Sequence, residues 1–206
     1  MRALLLILLL IPLLCGLPLS AVIVDRIAVT AGDRIITASE IDLRIRLTAF
    51  QNNRKPQFDL ASRRIAVERL IDQKLVEREM DVGHYPRLTG DRSRLLADYT
   101  AANYRSDAEA FRRALMNDGL TEDDLAEDLG NQADLLTFLS LRFRPAVQVN
   151  DDEVRRYMAS KGLAEELRAQ IEEKLVNDHA DAEMDTWLRD QRNRAKIRYL
   201  DKDLAP

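Results

Sequence analysis

The sequence predicts a mainly α-helical protein in which a small antiparallel sheet joins an N-terminal hairpin to a C-terminal strand. Three observations lead to this fold class. Apolar residues alternate on both sides of the dipeptide Gly32-Asp33, as in a two-residue β-hairpin. Apolar residues at helical spacing then dominate the chain as far as Arg194. Alternation returns in residues 196–200, close to the C-terminus.

The predicted hairpin directly follows an apolar N-terminal stretch. We expect its first strand over residues 23–29 and its second over 34–37, with Gly32 at the first central position of the turn. Thr37 and Glu40 form a capping-box pattern. A helix should therefore begin directly after the second strand.

Four more helices are expected before residue 144. Residues 52–58 interrupt the first helix, and the next one ends at a loop over 83–90. A helix over 91–104 follows, and capping-box patterns at Ser106 and Thr121 begin two others. The apolar stripe of the helix after residue 58 consists of Ile65, Leu70, Ile71, Leu75 and Val76. The apolar stripe of the helix that begins at Ser106 consists of Phe111, Leu115 and Met116. The apolar stripe of the helix that begins at Thr121 consists of Leu125, Leu129, Leu136 and Leu139.

The C-terminal part contains an extended connector, two helices and a strand. The connector covers residues 144–150, a helix begins at Asp151, and a long helical pattern covers 163–194. The alternation of charged and apolar residues over 196–200 then predicts a strand with one charged face. An isolated two-stranded hairpin is marginally stable in water. We therefore expect this strand to pair with the N-terminal hairpin in one small sheet.

The N-terminus has the pattern of a secretory signal peptide over residues 1–21. A basic residue, Arg2, precedes an apolar run that ends in the small residues Ser20 and Ala21. The run is also long enough to serve as an uncleaved membrane anchor. A lipoprotein signal at Cys15 is less well supported, because Leu14 occupies a position where such signals carry a small residue. All three interpretations imply export.

Composition excludes several classes of protein. The chain has 206 residues and a formal net charge of -4, with acidic and basic residues mixed along it. The sequence contains no stripe of basic residues of the kind that binds nucleic acid. The single cysteine lies in the predicted signal, so the exported part should rely on its apolar core for stability and not on disulfides. About 185 residues are enough to form one such core.

No catalytic, metal or cofactor site is expected from the sequence. The sequence around the two histidines, His84 and His179, matches no metal-binding or acid–base motif. No serine lies in a nucleophile-elbow motif. Phosphate-binding glycine loops are also missing from the sequence. The acidic runs 122–124 and 151–153 are typical of the first turns of helices.

Four segments, taken in order, resemble the chaperone domain of SurA-like periplasmic proteins, a family of parvulin-type exported foldases. They are "VDRIAVTAGDRIITASEID", "AVERLIDQKLVEREM", "VNDDEVRRYM" and "EMDTWLRDQRNRAKIRYL". The resemblance covers nearly all of the exported chain. It implies a SurA-like N-terminal domain over residues 22–160, completed by the long helix and strand of residues 161–206.

The chain departs from the family pattern in two places. Ala31 stands where the family usually has asparagine, which affects only the type of turn. The larger difference lies between the "VNDDEV" helix and the closing helix, where family members carry one or more prolyl isomerase domains. Only about nine residues separate the two helices here, and a foldable domain needs more than about 40 residues. The resemblance therefore implies the chaperone part without catalysis.

Eight apolar residues are candidates for contact with bound polypeptide. Chaperones need adaptable apolar surface, which methionine and aromatic side chains provide. For each of these residues, packing in the core is the competing interpretation. The candidates are Phe111, Met116, Leu120, Phe138, Phe143, Tyr157, Met158 and Trp187.

The resulting expectation is an ATP-independent periplasmic chaperone that holds unfolded exported or outer-membrane polypeptides and has no prolyl isomerase activity. Its partners would be these polypeptides, with no nucleic acid, and it would contact the membrane only through an uncleaved N-terminus. The alternative is an envelope assembly or scaffold subunit that binds one specific partner. The sequence leaves the oligomeric state open, a homodimer included.

Overall fold

A computed structural model describes residues 25–88 and 91–205 of the chain. Three strands and seven α-helices make up these residues, and 3-10 turns lie at Arg144–Ala146, Glu165–Leu167 and Lys202–Leu204. The strands are β1 (Ile27–Ala31), β2 (Arg34–Thr37) and β3 (Ile197–Tyr199). The helices are α1 (Ala38–Gln51), α2 (Leu60–Val82), α3 (Arg92–Tyr104), α4 (Ala108–Asn117), α5 (Glu122–Arg142), α6 (Asp151–Lys161) and α7 (Arg168–Arg194). The predicted mainly α fold class is confirmed.

The sheet joins the two ends of the described chain, as the sequence predicts. Its strand order is β2-β1-β3, and both pairs are antiparallel. Val29 of β1 lies opposite Ile36 on one side and Tyr199 on the other. Gly32 has a φ of 64°, a conformation that glycine adopts without steric cost, so the tight turn forms at the predicted dipeptide. The peptide N–H of Leu200 also donates to the carbonyl of Ala28.

Capping interactions set the start of the first two helices. The Thr37 hydroxyl accepts from the Glu40 N–H and the Glu40 carboxylate accepts from the Thr37 N–H, so the predicted capping box begins α1. The Asp59 carboxylate accepts from the N–H of Ser62 at the start of α2. Because both caps satisfy helix-end donors, α1 and α2 begin at defined residues against the sheet.

The buried core consists of four neighbouring apolar clusters among the described residues. The first packs the inner face of the sheet on α1 and α2, and includes Val29, Ile36, Ile41, Val67, Ile71 and Leu204. The second joins α1 to α3, α4 and α5 around Leu47, Phe50, Phe111, Leu115, Leu120 and Leu125. The third joins α2, α5 and α7 around Val76, Met80, Phe138, Phe143, Ala180 and Met184. The fourth lies between α6 and α7 and contains Val154, Met158, Ile171 and Leu175.

Several local expectations are wrong. Asp107 and not Ser106 caps α4, because Ser106 has a φ of 65° and a capping residue needs extended backbone. Ile65, Met116 and Leu136 belong to the predicted apolar stripes but are 56, 68 and 67 % exposed. Helical spacing places a residue on a face, but the partner elements decide whether anything covers it.

The observed ends of several helices and strands differ from the predicted ends. Within the described residues the first strand begins at Ile27, and residues 23–24 of the predicted strand lie outside them. The connector after α5 starts with a 3-10 turn at Arg144–Ala146. The long C-terminal helix begins at Arg168, behind a second 3-10 turn. The predicted signal peptide over residues 1–21 lies outside the described residues. Among residues 25–88 and 91–205, no helix combines the length and the apolar character needed to cross a bilayer.

Candidate binding cleft

The structure places seven of the eight predicted contact residues in three of the apolar clusters and leaves Met116 outside them. Phe111 and Leu120 are buried in the cluster between α1 and α3–α5. Met158 is buried and Tyr157 half-buried between α6 and α7. Met116 is 68 % exposed on α4. The eight residues therefore do not form one continuous surface.

Three of the eight do lie together, as an aromatic cluster of Phe138, Phe143 and Trp187. The Phe138 ring centroid lies 5.6 Å from that of Phe143 and 5.4 Å from that of Trp187. Phe138 is fully buried and Phe143 is 8 % exposed. The guanidinium of Arg142 lies 5.7 Å from the centroids of both Phe143 and Trp187, over their faces. This cluster holds α5 against α7 from the inside.

The surface of the same region forms a cleft between α2, α5 and α7, with a volume of about 310 Å³. Its apolar floor, which we call the cleft floor, consists of Val76 and Met80 from α2, Leu135 from α5, and Met184 and Leu188 from α7. Met80 and Met184 belong to the buried cluster that contains the aromatic residues. The cleft floor thus borders that cluster: Val76, Met80 and Met184 are buried, and Leu135 is exposed at its edge.

One wall of the cleft is a hydrogen-bond network around the buried carboxylate of Asp128. Asp128 is 3 % exposed, and its oxygens accept from Arg44 Nη1 at 2.6 Å, Gln51 Nε2 at 2.6 Å and Gln132 Nε2 at 2.8 Å. Arg44 also donates to the side chain of Gln73 on α2. The network links α1, α2 and α5, and its donors offset the cost of burying the carboxylate.

A second buried carboxylate, Asp134, lies farther along α5. It accepts the N–H of Leu88 at 2.7 Å, and Arg87 Nη1 lies 3.5 Å from it. Arg87 also donates to the exposed Asp81, and this hydrogen bond is the main cause that lowers the pKa of the Asp81 carboxyl below its usual value. The loop after α2 is therefore attached to both α2 and α5 at the rim of the cleft.

This arrangement is suited to binding apolar side chains. The cleft floor offers two methionines, whose flexible thioethers adapt to side chains of different shape. Several of the polar groups in its walls pair with one another, in the network around Asp128. Within the described residues, no group of histidine, cysteine and acidic side chains could hold a metal ion. His179 Nε2 lies 2.9 Å from a Glu153 carboxylate oxygen, in a contact between α7 and α6.

Sequence analysis missed the cleft because its residues come from distant segments of the chain. Val76 was expected to lie on an apolar helix face, but Met80, Leu135, Met184 and Leu188 were not expected to meet. One signal was available for Asp128, which occurs three residues after Leu125 on the inward side of a predicted amphipathic helix. A buried carboxylate needs partners, so its presence indicates a polar site at that face. Helical spacing places Asp134, nine residues after Leu125, on the opposite side, so its burial had no such signal.

A comparison of the chain with models of known protein families finds no match, and neither does a comparison with curated proteins.

Proposed function

We propose that this protein is an ATP-independent exported chaperone that holds unfolded polypeptide segments in the cleft between α2, α5 and α7 and has no prolyl isomerase activity. The observation that carries the proposal is the cleft floor of two methionines and three aliphatic residues, bordered by a polar network. The resemblance of the sequence to SurA-like chaperone domains supports the same function.

The size of the cleft is appropriate for side chains of an extended client. A cavity of about 150 Å³ accommodates a benzene ring. A volume of about 310 Å³ therefore has room for about two large apolar side chains. Each buried side chain would gain about 1.5–3 kcal/mol before ordering costs are subtracted. The expected binding is weak at a single site, which allows the client to be released without nucleotide hydrolysis.

Export to the periplasm is part of the proposal and rests on residues 1–21. Their basic start, apolar run and small residues have the order of a signal peptide. Sequencing the N-terminus of the protein recovered from the envelope fraction distinguishes the forms. A start at Val22 supports cleavage and a soluble periplasmic chaperone. An intact N-terminus in the membrane fraction would instead support the anchored form.

The function is tested by an aggregation assay with two unfolded clients, an outer-membrane barrel protein and an unrelated soluble protein. Light scattering is followed on dilution from denaturant, without ATP. We expect the protein to suppress aggregation of both clients at modest molar excess. A prolyl isomerase assay on a proline peptide serves as the second arm, and turnover above the protein blank would contradict the absence of catalysis.

A second candidate function is an assembly subunit that binds one folded envelope partner. It is favoured by Leu136 and Leu141, which are 67 and 50 % exposed on α5 and do not line the cleft. Exposed apolar side chains occur at protein interaction sites. Failure to suppress aggregation of either client, together with one envelope protein that co-purifies at fixed stoichiometry, would support this function over the first.

A further inference from the structure

A second concavity, which we call the crevice, lies between the C-terminal half of α1, the loop after it and the N-terminal half of α2. Its volume is about 400 Å³. The apolar side chains of Ile45, Ala49 and Ala66 lie at its base, and they are 7, 9 and 4 % exposed. Ile65 stands beside them with 56 % of its surface exposed. The crevice thus offers apolar contact area at the edge of the first core cluster, to which Ile45 and Ala66 belong.

The charges that line the crevice are all positive. They are Arg54, Lys55 and Arg69, and the residues that line the crevice include no aspartate or glutamate. Within residues 25–88 and 91–205, none of these three cations forms an ion pair within 4 Å. By contrast, Arg63 of the same helix pairs with Asp42 at 3.3 Å. A chain with a net charge of -4 therefore carries three cations at one site that, among the described residues, have no carboxylate oxygen within 4 Å.

The crevice and the cleft are consecutive sites along one face of α2. Residues of α2 that line the crevice are Ser62, Ile65, Ala66 and Arg69. Those that line the cleft are Arg69, Asp72, Gln73, Val76, Glu77 and Met80. Steps of three and four residues connect all of them, which is the spacing of a single helical stripe. Arg69 belongs to both sites and lies at their junction.

The length of this stripe sets the length of the segment that could occupy both sites. Eighteen residue steps separate Ser62 from Met80, which correspond to about 27 Å of helix at 1.5 Å per residue. An extended polypeptide covers this distance with about eight residues at about 3.3 Å each. One client segment of ordinary length can therefore contact both sites at once.

We propose that the cleft and the crevice together bind one extended segment of about eight residues that places apolar side chains in the cleft and acidic side chains at Arg69, Arg54 and Lys55. This inference rests on the proposed chaperone function and specifies its preferred substrate: polypeptide in which apolar residues are followed or preceded by aspartate or glutamate. Charge complementarity selects this occupant, because a basic segment would meet three unpaired cations. A carboxylate there gains charge-assisted hydrogen bonds from the guanidinium groups.

The preference is tested with three dye-labelled peptides of eight residues that share the same apolar half. The other half carries glutamates in the first peptide, glutamines in the second and lysines in the third. Fluorescence anisotropy with the purified protein gives the dissociation constants. We expect the glutamate peptide to bind most tightly and the lysine peptide most weakly. The difference should decrease when salt is raised from 0.05 to 0.5 M, on the order of the range in which exposed charges become screened.

Arg69→Gln is the central variant, and Arg113→Gln on α4 is its matched control. Both arginines are exposed, but Arg113 lines neither the cleft nor the crevice. Arg69→Gln should weaken binding of the glutamate peptide about threefold to fivefold, which is what an exposed ion pair contributes. It should leave the glutamine peptide nearly unchanged. Arg54→Gln combined with Lys55→Gln should act in the same direction, and Arg113→Gln should have no effect.

Failure of the inference and failure of the proposed function give different results. Equal affinity for the three peptides would overturn the acidic preference while the chaperone function stands. A glutamate preference that survives in the triple variant Arg54→Gln, Lys55→Gln, Arg69→Gln would overturn its assignment to the crevice. No binding of any peptide, with no suppression of aggregation, would overturn both proposals.

Discussion

The aromatic cluster and the cleft floor are neighbouring parts of one apolar region, and they differ at its edge, where Leu135 of the floor is exposed to solvent. Phe138 and Phe143 are buried between α5 and α7, whereas Leu135, one turn earlier on α5, is 36 % exposed at the cleft. The sequence contains both groups at helical spacing, and aromatic character alone suggested the first as the contact surface. The structure buries the first group together with Val76, Met80 and Met184 of the cleft floor, which are 4, 1 and 9 % exposed. Leu135 and the half-buried Leu188 form the accessible part of the floor. Bulk and aromaticity therefore do not identify a binding residue in this mainly α-helical protein.

The comparison also shows how the two groups depend on each other. Met80 and Met184 contact the aromatic cluster on one side and line the cleft on the other. The Asp128 network holds α1, α2 and α5 around the opening. The cluster should thus control stability, and the residues that face the cleft should control binding. Four substitutions, from the largest expected effect to the smallest, test the contributions of single residues to stability and to client binding.

Phe138→Ala should lower the free energy of unfolding by about 3–5 kcal/mol, because it removes a fully buried ring and leaves a cavity between α5 and α7. Urea unfolding followed by the fluorescence of Trp187, the single tryptophan of the chain, measures this change. Met116→Ala is the control, since this exposed residue should change the free energy by less than about 0.5 kcal/mol. Similar losses in the two variants would contradict the assignment of Phe138 to the core.

Arg44→Met should destabilise the protein by about 3 kcal/mol, because it leaves the carboxylate of Asp128 buried without a cation. Gln51 and Gln132 still donate to this carboxylate and limit the loss. The double variant Arg44→Met, Asp128→Asn should recover part of the stability, since the neutral amide needs no counter-charge. Urea unfolding of the two variants measures both changes. An unaltered midpoint for Arg44→Met alone would show that the network is not structural.

Leu135→Ser should weaken client binding severalfold with little effect on stability, because it removes about 1–2 kcal/mol of apolar contact from the cleft floor. The neighbouring Leu136→Ser is the matched control. Leu136 lies on the same helix, is more exposed and does not line the cleft. The measurement is the concentration of protein that halves client aggregation. An equal effect of the two substitutions would place the binding surface outside the cleft.

Tyr199→Phe should slightly lower the stability below about pH 10, and this difference from the wild type should disappear at alkaline pH. Burial and, secondarily, the hydrogen bond to Glu68 raise the pKa of Tyr199 to about 12 from its usual 10.0. The folded protein therefore holds the phenol proton at pH values where the unfolded chain has lost it. This contribution is complete below about pH 10 and is lost between about pH 10 and 12, with a size below about 1 kcal/mol because the hydroxyl is only partly buried.

Unfolding midpoints measured in urea from pH 8 to about pH 12 test this expectation. Tyr99 and Tyr104 have pKa values raised by burial too, so the wild type and the Phe variant share that background. The difference between the two proteins should shrink as the pH rises through this range. A constant difference would contradict a role for the Tyr199 proton.

Local signals were sufficient to predict much of the fold. The Gly32-Asp33 turn, the Thr37–Glu40 capping box and the pairing of residues 197–199 with β1 all depend on short patterns or on a simple need for a third strand. The Ser106 cap was wrong because two successive residues adopt left-handed backbone there, which no propensity of serine indicates. Exposure of Ile65 and Leu136 was also not predictable, since it depends on which elements pack nearby.

Much less of the candidate site could be predicted from the sequence. The cleft floor combines residues that are up to 112 positions apart, from Val76 to Leu188. Their meeting depends on how α2, α5 and α7 pack, which helical periodicity does not determine. The crevice depends likewise on which arginines find a carboxylate after folding. Arg63 and Arg69 look alike in the sequence, but only Arg63 pairs, at 3.3 Å from Asp42.

The most direct test of the cleft as the client site is photo-crosslinking from single positions. A benzophenone amino acid is placed at Leu135 in one protein and at Leu136 in another, and each is irradiated with an unfolded outer-membrane barrel protein. Client adducts are then counted by gel and mapped by mass spectrometry. Strong adducts from position 135 and few from position 136 are the result we expect. Equal adducts, or adducts mainly from position 136, would contradict binding in the cleft.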